Sequence, residues 1–177
     1  MTIIPNAQKI TLDNGLRLVT ETIPALRSVT MGIMVGAGSA NETDQEAGIS
    51  HLIEHLCFKG TKKRSALDIA NALDSVGGRM NAYTTKEYTL YYAVVLDKHT
   101  DTAVDVLCDL FLNSLFAPAA MEMEKGVILE EIKMYEDTPD ELVHDFFAEK
   151  ILNKHPIGRP TIGSKETVSS FTQEDIK

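Results

Sequence analysis

Residues Ile49 to Gly60 read I-S-H-L-I-E-H-L-C-F-K-G, and the way this stretch folds sets what the rest of the chain must supply. In a helix, successive residues turn by about 100°, so Ile49, Leu52, Ile53 and Leu56 gather on one side. His51, Glu54 and His55 gather on the other. Such a helix buries its apolar stripe and presents two imidazoles and a carboxylate together. His51 and His55 are four apart and project side by side from adjacent turns. Imidazole nitrogen and carboxylate oxygen are donors suited to zinc. An ordinary exposed polar face would give the same pattern, and five residues alone do not separate the two readings. Phe58 falls on the ligand-bearing face, where solvent would favour a polar residue. It is expected either to line a substrate pocket or to pack as a core residue.

A catalytic zinc takes three protein ligands and keeps one position open. The other histidines, His99, His144 and His155, are scattered and read as surface or capping residues. A carboxylate is therefore the expected third ligand, and the stretch GVILEEIKMYED offers Glu130, Glu131 and Glu136. Spacing does not choose among them.

Around this helix the chain reads as α+β. KITLDNGLRLVTE holds two short alternating runs about Asn14-Gly15, a strong hairpin signal. Val29 to Gly38 reads as a third strand, and RMNAYTT and EYTLYYAVVL as two more, rich in Tyr, Thr and Val. The first helix is expected to be capped by Thr43 or Asp44 and ended by Gly60. Ser65 with Asp68 forms a capping box for a second helix, closed by Gly77-Gly78. Val104, Leu107, Phe111 and Leu115 fall at helical spacing. A longer helix starts at Pro118 and runs to about Glu136. Thr138-Pro139 with Glu141 restarts a helix to about Leu152, and the tail reads as a loop with one short helix. Strands first and helices after make an antiparallel or mixed sheet with helices on one face, rather than repeating β-α-β units.

The 177 residues, 44% hydrophobic, suffice for one sizeable core, so residues 1–177 read as a single domain. A net charge of -9 argues against a general nucleic-acid or anionic-membrane surface. No apolar run reaches membrane-spanning length, and MTIIPNAQKITLDNG does not read as a leader. Cys57 and Cys108 sit among apolar neighbours and read as reduced core residues of a cytoplasmic protein.

HLIEH has the inverted-zincin form H-x-x-E-H. With LDNGLRLVTE, VGAGSANETDQEAGISHLIEHLCFKGT, GGRMNAYTTKEYTLYY, VILEEIKMYEDTPDE and HPIGRPTIGSKETV, the chain resembles the pitrilysin, insulysin and mitochondrial processing peptidase family. The likeness is to its bacterial processing-protease-like members. The resemblance implies a zinc metalloendopeptidase acting on extended or unfolded peptides or presequences. It implies zinc on His51 and His55, and Glu54 as general base. The family pattern V-x-x-x-E falls on Val127 to Glu131 and so makes Glu131 the third ligand, with Glu124 supporting it. It implies a peptide laid along the strand at Asn81, Ala82 and Tyr83. The family's closing strands and second half are not in this sequence. The chain is therefore expected to be an N-terminal domain that needs a second half-domain or a homodimer partner. The alternatives are a non-catalytic structural subunit of the same fold, and a structural or adventitious metal site.

Overall fold

The structure, a computed structural model, describes residues 7–152 and 155–176. The first six residues, part of the stretch read above for a leader, lie outside that range. The Asn-Gly turn does form a hairpin, pairing β1 (Ala7–Thr11) with β2 (Arg17–Glu21). Gly15 takes the left-handed conformation there, with φ of 86°. A second sheet has the order β3 (Ser28–Val35), β5 (Thr89–Leu96), β4 (Arg79–Thr84), and both of its pairings are antiparallel. The third strand is shorter than expected, because the chain leaves the sheet at Gly36.

Side chains alternate across this second sheet. Tyr91, Ala93 and Val95 of β5 and Ala82 of β4 are buried on one face. That face packs on α2 (Ala66–Asp74) and α3 (Thr100–Asn113) through Ile69, Leu73, Ala103, Val106, Leu107 and Leu110. A second core joins α1 (Ile49–Cys57), α4 (Pro118–Glu136) and α6 (Lys165–Ser170) around Leu52, Leu56, Met121, Ile128, Ile132 and Val168. Helix α1 belongs to both: Ile49, Leu52 and Leu56 face the helical core, whereas Ile53 and Cys57 face the sheet core. Its apolar stripe is thus split between two packing surfaces, and its polar side is left between β4 and α4.

Four expectations change at the helices. On α3 the buried stripe is Ala103, Val106, Leu107 and Leu110, while Val104 and, beyond the helix end, Leu115 are half-exposed. This helix carries more apolar residues than one face holds, and the small Ala103 permits the closer approach to the sheet. The same rotation turns Cys108 outwards, so only Cys57 is a core cysteine. Helix α5 (Pro139–Ile151) begins after Thr138, but that hydroxyl donates back to Met134 O at 2.8 Å rather than capping the new helix. The tail is more helical than expected, with α6 and then α7 (Gln173–Ile176). Ser65 and Asp68 do form their capping box.

Candidate metal centre

Helix α1 is held from its N-terminal end by Glu42, not by Thr43 or Asp44. The buried Glu42 carboxylate accepts hydrogen bonds from the backbone N–H of Gly48 at 2.8 Å and of Ser50 at 2.9 Å. A negative charge here also complements the helix dipole. Thr43 is occupied in a turn of its own with Glu46. Gly48 enters the helix with φ of 96°, and a Cβ there would meet Ile162 O at 2.7 Å. The C-terminal segment therefore lies directly on the helix entrance. Arg159 secures it, donating to the carbonyls of Thr43 at 2.6 Å and Glu42 at 2.9 Å.

The two imidazoles stand with ring centroids 4.7 Å apart. One nitrogen of each ring and a carboxylate oxygen of Glu131 all lie within 4.8 Å of one another. Among the described residues this is the one such group of His, Cys, Asp and Glu. Glu131 arrives from α4, whose Ile128 and Ile132 pack in the helical core and so turn Glu131 towards α1. Glu130 points away, exposed and paired with Lys133 at 2.5 Å. Glu124, two turns before Glu131, is buried and accepts from His55 Nδ1 at 3.1 Å. A carboxylate only accepts, so Nδ1 carries the proton. Nε2 is left as the free donor atom, 3.8 Å from Glu131 Oε2.

These residues fit a divalent cation. Burial and the neighbouring His55 push His51 down to about 4, so at neutral pH its ring is the uncharged form that binds metals. His51 Nδ1 is buried with no hydrogen-bond partner. Two imidazole nitrogens and one carboxylate make a ligand set of the kind found in catalytic zinc sites.

Glu54 stands on the same side of α1. Burial raises its carboxyl, and a hydrogen bond from Thr84 together with His55 works against that rise. Thr84 Oγ1 donates to Glu54 Oε2 at 2.6 Å, tying the helix to the end of β4. Of the residues expected to meet substrate, Ala82 is buried in the sheet core and offers only its backbone. Asn81 and Tyr83 face away from that core. Strand β4 pairs on one side with β5, and the Ala82 N–H on its other side goes to Asn81 Oδ1 at 2.9 Å. Phe58 is not drawn to the centre. Half-buried, it packs against the sheet core.

A pocket opens beside His51, walled by Thr84, Glu131, Lys86, Glu141, His144 and Asp145. The last three lie on one face of α5 and were not anticipated. Their spacing, i, i+3 and i+4, is the signal that could have found them. His144 is exposed, as a surface histidine should be, and it walls this pocket as well, while His155 does act as a local cap, accepting from Ile157 N–H at 3.3 Å.

The His-x-x-Glu-His motif of the inverted zincins here lies on a helix set between an antiparallel sheet and a carboxylate-bearing helix. Residues 17–165 match the insulinase family, peptidase family M16, and the chain belongs to that family. It is 49% identical over 174 residues to an uncharacterized zinc protease of Streptomyces coelicolor, covering 98% of this chain and 38% of that one. A protease from Helicobacter pylori has the same fold, with a TM-score of 0.90 at 24% identity, covering 97% of this chain and 42% of that one. So does an inactive peptidase M16 domain of Pseudomonas fluorescens, with a TM-score of 0.87 at 16% identity over 97% of this chain and 42% of that one. The fold is thus shared by a protease and by an inactive domain, so any chemistry resides in the side chains and not in the fold. No helix among the described residues is long and apolar enough to cross a membrane.

Proposed function

We propose that this chain is the metal-bearing part of a zinc endopeptidase that hydrolyses extended or unfolded peptides. The observation that carries this reading is the convergence of His51, His55 and Glu131 within 4.8 Å, with Glu54 beside them and off the ligand set. His51, His55 and Glu131 would hold zinc. The metal, when bound, supplies a Lewis acid that brings water's acidity towards neutral pH and polarises a peptide carbonyl.

The chain's own residues do the rest. Glu54 takes a proton from the attacking water and returns it to the departing amine. Its raised carboxyl suits that exchange, because a base nearer neutral pH both accepts and gives back a proton readily. Thr84 holds one carboxylate oxygen, leaving the other free to work. The free edge of β4 accepts a peptide as an added strand, so that recognition depends on extended shape through backbone hydrogen bonds. Asn81 Oδ1 now covers the Ala82 N–H and must turn aside when a peptide binds.

The chain spans 38% of the length of the Streptomyces relative. A second half-domain, or a second copy, would close the open side of the site and exclude water from it. Substitution of Glu54 by Gln in the full-length protein tests the reading. The variant should keep stoichiometric zinc and lose peptide hydrolysis, since an amide cannot accept the proton. Turnover by zinc-loaded Glu54→Gln at the wild-type rate would sink the general-base role.

A further inference from the structure

Behind the metal-facing side chains, Glu124 is buried with both carboxylate oxygens engaged. Oε2 accepts from His55 Nδ1 at 3.1 Å, and Oε1 meets Lys59 Nζ at 2.7 Å. We propose that Lys59 is a positioning residue of the metal centre: its ammonium fixes the Glu124 carboxylate in the orientation that holds His55 with Nε2 towards the cation. The proposal rests on the reading of His51, His55 and Glu131 as ligands.

The geometry gives Lys59 this role in three ways. A buried carboxylate needs a nearby counter-charge, and the Lys59 ammonium supplies one. The terminal torsion of a glutamate is broad, so one partner leaves the group free to rotate while two partners fix it. Lys59 itself is well placed, because its backbone N–H closes the end of α1 on Leu56 O at 3.0 Å and Gly60 turns the chain away with φ of 127°. The pair therefore joins the end of the helix that carries both histidines to the helix that carries Glu131. It sets the orientation of one ligand and the spacing to another. Partners of metal-bound histidines commonly act in this way, fixing ring orientation and tautomer.

The sign of the effect separates this role from that of a bystander. A positive charge near a cation site repels the cation, so removing a bystander lysine would tighten zinc binding. Removing a positioning lysine weakens it. The experiment measures zinc affinity of the full-length protein by chelator competition, for wild type, Lys59→Met, Lys59→Gln and Lys59→Arg, together with Glu124→Gln and the double variant Lys59→Met/Glu124→Gln. Both neutral variants should bind zinc about 10–100-fold more weakly, the range usual for such partners. Lys59→Arg should recover most of the loss, and the double variant should bind no more weakly than Glu124→Gln alone. Nitrogen chemical shifts of the zinc-free protein should show His55 protonated at Nδ1 in the wild type and a mixture of tautomers in the neutral variants. Zinc affinity equal to or above wild type in a folded Lys59→Met or Lys59→Gln would overturn the proposal, as would a Lys59→Arg as weak as Lys59→Met. A wild type that fails to bind zinc would instead overturn the ligand assignment beneath it.

Discussion

Glu130 and Glu131 are neighbours in sequence but point about 100° apart around α4. That rotation separates the proposed ligand from a surface residue. Burial of Ile128 and Ile132 fixes the roll of the helix, sending Glu131 to the histidines and Glu130 to Lys133. The surface pair contributes little to stability, since exposed ion pairs are typically worth about 0–1 kcal/mol. Metal analysis of purified single variants should therefore find zinc retained in Glu130→Ala and mostly lost in His51→Ala, His55→Ala and Glu131→Ala. Loss from Glu130→Ala with retention in Glu131→Ala would move the third ligand. In the bare sequence Glu130, Glu131 and Glu136 are equal candidates, and family resemblance alone singles out Glu131. The Thr84–Glu54 and Lys59–Glu124 pairs had no such signal, because each joins residues 30 or more positions apart.

Between elements, two contacts carry more than their size suggests. The buried Asp109 of α3 gathers the Thr61 hydroxyl at 2.7 Å, the Arg64 guanidinium at 2.6 Å and the Asn113 amide at 2.9 Å, fastening the loop after α1 and the start of α2 to α3. Burial opposes its charge, but hydrogen bonds from Thr61, Arg64 and Asn113 outweigh that and hold its carboxyl below the ordinary 3.8. A depressed carboxyl stabilises the fold fully above its unfolded value and loses that contribution as pH falls through the folded one. Replacing Asp109 by Asn should lower the urea midpoint at neutral pH and flatten the further fall of that midpoint on acidification below 3.8. An acid limb unchanged from wild type would show that Asp109 is not a source of it. The second contact is the backbone crossing of Gly48 and Gly163, both in left-handed conformations. At Gly48 an alanine meets both strain and Ile162 O, so Gly48→Ala should cost about 1–3 kcal/mol in unfolding free energy. It should also weaken zinc binding by loosening the entrance of α1.

The molecule as a whole leaves much apolar surface uncovered. Leu16, Leu18 and Val19 of the hairpin are about half or more exposed, as are Phe146, Phe147 and Ile151 of α5. Exposed apolar side chains of this kind favour association where they gather into patches, and unpaired strand edges add to it. In solution these 177 residues alone should self-associate, and light scattering as a function of concentration will read this directly. A monodisperse monomer would show that the hairpin and α5 need no cover. On the proposed function, adding a second half-domain to these residues should raise peptide hydrolysis, because an open site stabilises developing charge less well. Full turnover without any further segment would overturn that expectation.

Local chemistry made the element list readable. The Asn14-Gly15 turn, the Ser65-Asp68 capping box, Pro118 and the period of I-S-H-L-I-E-H-L-C each act within a few residues, so these elements, and a polar, metal-capable side on α1, are legible without any tertiary contact. Which way each helix rolls was decided only on packing. The predicted stripe on α3 was displaced, Glu42 rather than Thr43 or Asp44 holds α1, and Phe58 turned to the sheet core. The reason is common to all three. A helix with apolar residues on more than one side, or a cap with several polar candidates, has nearly equal local solutions, and burial against distant residues chooses among them. The candidate metal centre shows the same division: His51, Glu54 and His55 come from one short stretch of sequence, while Glu131, Glu124 and Thr84 join them only because α1, α4 and β4 meet in space.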